Sequence, residues 1–262
     1  MPYAIRLRRV VLEYDGTTAL RRVDWVVEEG ESWAVIGPNG AGKTSLMSLI
    51  NGYRWPTSGE VEILGNRFGE VDLREHRTRV GMVSAYLDGW IDENQSVLDL
   101  VVSGAYGSTR TWKRADGALA RRGKSLLDEL GCGHLASKRV GQVSQGERQK
   151  ALIARALMAN ASLLLLDEPC EGLDLGSREQ LMDGLTRLAG LRRTSIVYVT
   201  HRTDEIPTGF SHALLLKSGK VLAAGPIRKT LTSKNLSLCF GVPVRLETVN
   251  GRYYTIVSVG RV

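Results

Sequence analysis

Trp33-Ala34-Val35-Ile36-Gly37-Pro38-Asn39-Gly40-Ala41-Gly42-Lys43-Thr44-Ser45 is the stretch on which the fold turns. Residues 33–36 are apolar and few, which reads as a short buried strand. Glycine and proline at 37–42 cannot continue it. A helix is expected from Lys43 to Ile50, stopped by Asn51-Gly52. The octet 37–44 fits Gly-x-x-x-x-Gly-Lys-[Ser/Thr]. Its glycines let the backbone wrap tightly and turn N–H groups inward at phosphate oxygens. The helix that follows adds the positive end of its dipole. Lys43 is placed to reach β- and γ-phosphates, and Thr44 to offer a hydroxyl to Mg²⁺. Gly37, Pro38, Asn39, Gly40, Ala41, Gly42, Lys43, Thr44 and Ser45 are thus the expected contacts of ATP. A chance Gly-Lys-Thr in a glycine-rich turn is the bland alternative, and the strand before and helix after argue against it.

Further strands are expected over 5–14 (closed by Asp15-Gly16), 23–28, 61–64, 80–84, 163–166, 195–200 and 213–217. Residues 86–160 turn mostly helical, with helical spacing at 97–102, 118–130 and 149–157, and 177–188 is an amphipathic helix. Strands alternating with helices predict an α/β core with a mostly parallel sheet. The helical stretch interrupts that alternation and reads as an insertion. In the tail, 242–249 and 252–259 flank Asn250-Gly251, the strongest short hairpin signal.

Leu163-Leu164-Leu165-Leu166-Asp167-Glu168 sets two carboxylates at the end of a buried strand, the edge where open α/β sheets bind ligands. Alone this is a solvated acidic turn. Beside a phosphate loop it supplies what phosphoryl transfer needs: Asp167 for Mg²⁺, and Glu168 to polarise the attacking water. His201 follows another apolar strand and is the candidate to contact the γ-phosphate. His76, His134 and His212 have no such context.

The chain has 262 residues, 43% hydrophobic and 24% charged, which is ordinary for a globular protein. No apolar run approaches the ~18–20 residues that span a bilayer, and residues 1–10 lack the features of a signal peptide. A cytoplasmic protein is expected, with any membrane role exerted through a partner. Its three cysteines form no CxxC pair and read as buried thiols. The net charge of +7 is spread over scattered basic pairs, which suits a solvated surface better than a nucleic-acid face.

Ser144-Gln145-Gly146-Glu147 opens a helical run with a capping box, and a helix start is also an anion site. With this segment the chain resembles the ATP-binding subunits of the ABC superfamily. The phosphate loop, 144–147, 163–168, Gly172-Leu173-Asp174 and His201 stand in that family's order, and the resemblance covers about residues 3 to 225. It implies an ATPase in which two subunits, copies or homologues, sandwich two ATP molecules head to tail. Ser144 and Gly146 would then contact nucleotide on the second subunit, with Glu147 completing the cap. Asp174 would cross the interface, and Tyr14 would stack on adenine. The family's glutamine after strand 80–84 is replaced by Ala85, and Asp88 (as a metal contact) or Gln95 are the candidates to substitute. Ser-Gln-Gly-Glu signatures are familiar near the metal and metal-chelate uptake members.

The expected fold is therefore a P-loop NTPase α/β core (1–85 and 161–225) with an N-terminal antiparallel β region. A helical signature subdomain (86–160) is inserted, and a tail with a β-hairpin (226–262) follows. The expected function is ATP hydrolysis driving transport, import above all, through separate transmembrane permease subunits. A soluble, non-transport ATPase of the same superfamily, acting as a switch on a protein or nucleic-acid complex, is the alternative, favoured by the missing glutamine and the positive charge.

Overall fold

The computed structural model describes residues 3–70, 72–111, 117–159, 161–192 and 194–257, and within them every side chain except those of Leu73, Arg74, Ala85, Tyr86 and Asp88. Its centre is a six-stranded sheet in the order β10-β9-β3-β8-β7-β6. These strands are β3 (Ser32–Ile36), β6 (Val80–Val83), β7 (Leu163–Asp167), β8 (Ser195–Thr200), β9 (His212–Lys217) and β10 (Lys220–Pro226). All neighbours are parallel except β10, which runs antiparallel to β9 along the edge.

Near-continuous apolar runs are what a parallel sheet covered on both faces requires. Period-two alternation then sorts each strand between two cores. Trp33, Val35, Leu163, Leu165, Val197 and Val199 face one core, built with helix α1 (Lys43–Ile50) and an antiparallel sheet. Ala34, Ile36, Leu164, Leu166, Ile196 and Tyr198 face the other, built with helices. The antiparallel sheet has the order β2-β1-β4-β5, from β1 (Tyr3–Tyr14), β2 (Thr17–Glu28), β4 (Ser58–Ile63) and β5 (Asn66–Arg67).

On the helical side, α3 (Val97–Ser103), α4 (Gly117–Glu129), α5 (Gln145–Met158) and α6 (Leu175–Gly190) share one core with Val101, Leu127, Ile153 and Leu185 at its centre. A short α2 (Leu73–Arg79) precedes β6. After β10 come one turn of helix, α7 (Ile227–Thr230), then α8 (Ser233–Phe240) and the hairpin β11 (Val244–Val249) and β12 (Arg252–Val257). Asn250 and Gly251 both take left-handed φ, 50° and 79°, as a two-residue hairpin turn of this kind demands.

The observed elements differ from the expected ones in instructive places. Strand β2 begins at Thr17, not 23, because Arg22 bulges outward with φ 54° and breaks the alternation without ending the pairing. Strand β10 is not among the expected strands; it ends in Gly225-Pro226, which an edge strand tolerates at its end. Helix α2 has too few apolar residues to show a period. The hairpin starts at 244 rather than 242, and residues 258 and 259 lie outside the described part.

Gly104, just past α3, packs so closely on α5 that an added Cβ would run into the Arg155 carbonyl oxygen. Gly104→Ala is expected to lower stability by about 1–3 kcal/mol. Gly184→Ala on α6, with nothing within 4 Å of its Cβ, should be neutral or stabilising by up to about 1 kcal/mol. Urea denaturation followed by circular dichroism checks both; equal effects would contradict the close helix contact.

Candidate active site

Parallel register delivers the ends of β3, β6, β7 and β8 to one edge of the sheet, with Ile36 beside Thr200 and Asp167 beside Val199. The loop 37–42 leaves β3 there and feeds α1. Two of its glycines are sterically required. A Cβ on Gly37 would strike the Leu216 carbonyl, and one on Gly42, at φ 102°, would stand 2.6 Å from the Ala19 carbonyl. The loop wraps around a single ammonium. Lys43 Nζ donates to the carbonyls of Gly37 (2.9 Å) and Pro38 (3.2 Å) and lies 3.5 Å from Glu168 Oε1. The Lys43 side chain is 6% exposed, so those three oxygens carry most of its solvation.

Glu168 sits just past β7 in a left-handed conformation, φ 49°, pinned by its N–H to the Val199 carbonyl at 3.0 Å. Such a backbone for a non-glycine residue is strain stored where geometry matters. It turns the carboxylate between Lys43 and His201, whose Nδ1 lies 3.0 Å from Oε2. Asp167 points elsewhere. Its Oδ2 accepts from Ser84 at 3.0 Å, Thr44 lies beside the same carboxylate, and its Oδ1 is buried with no donor. Burial raises the Asp167 pKa above the usual carboxylate range, and the Thr44 and Ser84 hydroxyls offset this only in part. A buried carboxylate oxygen without a donor, beside a threonine hydroxyl, fits a small hard cation. Among the described residues no cluster of three or more His, Cys, Asp or Glu gathers there, so water and phosphate oxygens would complete such a cation's shell.

Lys43, Thr44 and Glu168 line a cleft of about 510 Å³ together with Tyr14, Asn39, Gly40, Gly42 and Ser45, and Thr17, Thr18, Ala19, Arg21, Ser218 and Gly219 close its far side; Asp167 and His201 adjoin it through Thr44 and Glu168. Gly37, Pro38 and Ala41 shape the loop from behind. The Tyr14 hydroxyl is 2.9 Å from Ser45 Oγ, and the Arg54 guanidinium covers one ring face at 3.5 Å.

Ser144, Gly146, Glu147 and Asp174 do not join this cleft. Ser144 caps α5 by accepting from the Glu147 N–H at 3.3 Å, while Glu147 accepts from the Ser144 N–H at 2.8 Å. That hydrogen bond from Ser144 holds the Glu147 carboxyl below its usual range. Asp174 caps α6 by accepting from the Ser177 N–H at 2.9 Å, and this bond lowers its pKa. The two helix starts touch: a Cβ on Gly146 would meet Leu173 at 3.4 Å, and one on Gly172 would meet Gln145 at 3.2 Å. They form a second, exposed surface.

Residues 20–171 match the ABC transporter family. The chain is 42% identical to the uncharacterized ABC transporter ATP-binding protein YlmA of Bacillus subtilis (strain 168), over 92% of each chain. This chain belongs to the ABC transporter family. It is an ATP-binding, ATP-hydrolysing ABC subunit. The manganese transport system ATP-binding protein MntB of the same organism is 32% identical over 91% of this chain and 93% of its own. Among solved structures, an inward-facing metal-chelate type ABC transporter superposes with TM-score 0.75 at 26% identity, covering 97% of this chain and 96% of that one. A dimeric bacterial ABC transporter cassette superposes with TM-score 0.76 at 26% identity, covering 86% and 99%.

For this ABC subunit, sequence reasoning missed Ser84, Arg54 and the strip of Thr17, Thr18, Ala19 and Arg21, all tertiary partners without a local signal. The Asp88 side chain lies outside the described residues, as does that of Ala85. Gln95 does not line the cleft, and its amide donates to the Thr109 carbonyl at 2.9 Å. His76 is buried against the Ile50 carbonyl, which leaves it structural. The three cysteines are buried, and burial pushes their thiols up to about 11. Among the described residues no helix is long and apolar enough to cross a membrane.

The raised Asp167 pKa has a thermodynamic consequence. The folded state holds that proton more tightly than the unfolded state, so stability falls as pH rises through the window above the unfolded value. Asp167→Asn removes this penalty. Without nucleotide or divalent cation, the variant should melt higher than wild type at pH 7–8, with the gap closing toward about pH 4. Differential scanning calorimetry in a chelator checks it; a gap that grows toward acid would contradict the assignment.

Proposed function

We propose that this subunit binds Mg-ATP in the cleft, dimerises head to tail around two nucleotides and drives import through separate permease subunits. The carrying observation is the split just described. Lys43 and Glu168 line one cleft, with His201 bonded to Glu168 beside it, while the two helix starts bearing Ser144, Gly146 and Asp174 form another surface of the same chain. A helix start carries the positive end of the helix dipole, so the second surface suits phosphate held by a partner's loop.

Roles follow from the contacts. Tyr14, backed by Arg54 on one face, offers the other to adenine. Thr44 and Asp167 would hold Mg²⁺, which when bound neutralises charge developing on the phosphates. Lys43 exchanges carbonyl partners for phosphate oxygens, which bind an ammonium more strongly. That exchange loosens its hold on Glu168 and leaves the carboxylate free to polarise water. His201 keeps Glu168 oriented and senses the γ-phosphate. Residues 1–85 and 161–225 serve as the nucleotide core, although β10 runs to Pro226. Residues 86–160 serve as the permease-docking unit and 226–262 as the tail. A cytoplasmic place, at the membrane through its partners, goes with this reading. The manganese and metal-chelate relatives favour a metal or metal chelate as cargo.

Glu168→Gln should keep ATP affinity while lowering kcat by about 10²–10⁴-fold, and should accumulate as an ATP-bound dimer in light scattering. Turnover at the wild-type rate would overturn the role of Glu168.

A further inference from the structure

The hairpin is the one sequence signal that the nucleotide site leaves unused. Its strands are tied to α8, where the Val244 N–H donates to Ser237 Oγ at 2.9 Å and the Leu246 N–H to Ser233 Oγ at 3.0 Å. Leu246 and Tyr253 pack on the helical-side core, while Val249, Tyr254, Ile256 and Val257 stay exposed. From this anchor β12 lies against the turn Thr203–Glu205, two residues past His201.

That turn is tied to the two residues that flank His201, Thr200 and Arg202. The Thr200 hydroxyl donates to Glu205 at 2.9 Å and accepts from the Arg202 N–H at 3.0 Å. The Arg202 guanidinium donates to Asp204 at 2.8 Å, and Arg178 of α6 lies 3.8 Å from the same carboxylate. Thr203 is buried, and its hydroxyl reaches Thr255 Oγ1 on the hairpin at 3.3 Å. Arg252 Nη1 donates to Glu179 on α6 at 2.9 Å, which holds the Glu179 carboxyl down. The His201 side chain itself is 44% exposed, with Glu168 as its hydrogen-bond partner. Its place is therefore fixed by the backbone around it more than by packing.

We propose that the hairpin is a positioning element for His201, acting through Thr255 and Arg252, which clamp the Thr203 turn and α6 to each other. The inference rests on the roles given above to Glu168 and His201. A ring held mainly by its backbone moves when that backbone relaxes, and displacements near 1 Å can cost about 10²-fold in rate. A single lost brace costs less than that.

Thr255→Val keeps the shape and removes the hydroxyl; Arg252→Met removes the ion pair and Arg252→Lys retains a charge. Thr255→Val and Arg252→Met are each expected to lower kcat by about five- to tenfold with KM for ATP within about twofold, and Arg252→Lys to recover most of the loss. In a His201→Ala background the same variants should add less than about 1.5-fold, because the hairpin acts through that residue. Unchanged kcat with a lowered Tm, or an equal loss in the His201→Ala background, overturns the hairpin's role alone. Full turnover by His201→Ala itself overturns the role of His201, and the hairpin inference with it.

Discussion

A buried ammonium organises this protein. Lys43 has almost no access to water, so its charge must be satisfied by oxygens the fold provides. Two come from the loop that precedes it and one from Glu168, more than a hundred residues away. The loop's conformation and the carboxylate's position are therefore set together. The parallel sheet exists, from this viewpoint, to bring the ends of β3, β7 and β8 within reach of one cation.

The two adjacent carboxylates show how environment divides labour. Asp167 is driven into the sheet edge, where burial disfavours its charge and one oxygen is left without a donor. Glu168 is turned outward by its left-handed backbone and finds a cation and an imidazole. One neighbour is thus suited to a metal ion and the other to a water molecule. Neither role follows from the residue type; both follow from a single change of backbone direction at the strand's end.

What the sequence displayed and what it hid divide along the same physical line. The loop, the apolar strands, the capping box at Ser144 and the Asn250-Gly251 turn are local, and their chemistry repeats at fixed spacing. Helix α1 and strand β8 were legible to the residue for that reason. The Arg22 bulge, the edge strand β10 and the apolar-poor α2 break periodicity while keeping their hydrogen bonds. Ser84 beside Asp167 and Arg54 over Tyr14 are products of tertiary packing, 83 residues apart in the first case. Gln95 reads as a free candidate but is committed to the Thr109 carbonyl, which only the fold reveals.

In the proposed dimer, one chain holds two unlike halves of a site that closes only when two chains meet. The most direct test of this arrangement is the specific ATPase activity of the isolated subunit against protein concentration, with light scattering in parallel. Mass action demands that specific activity rise with concentration, level off, and track the dimer fraction. A specific activity that stays at its maximum at dilutions where the protein is wholly monomeric would contradict the account.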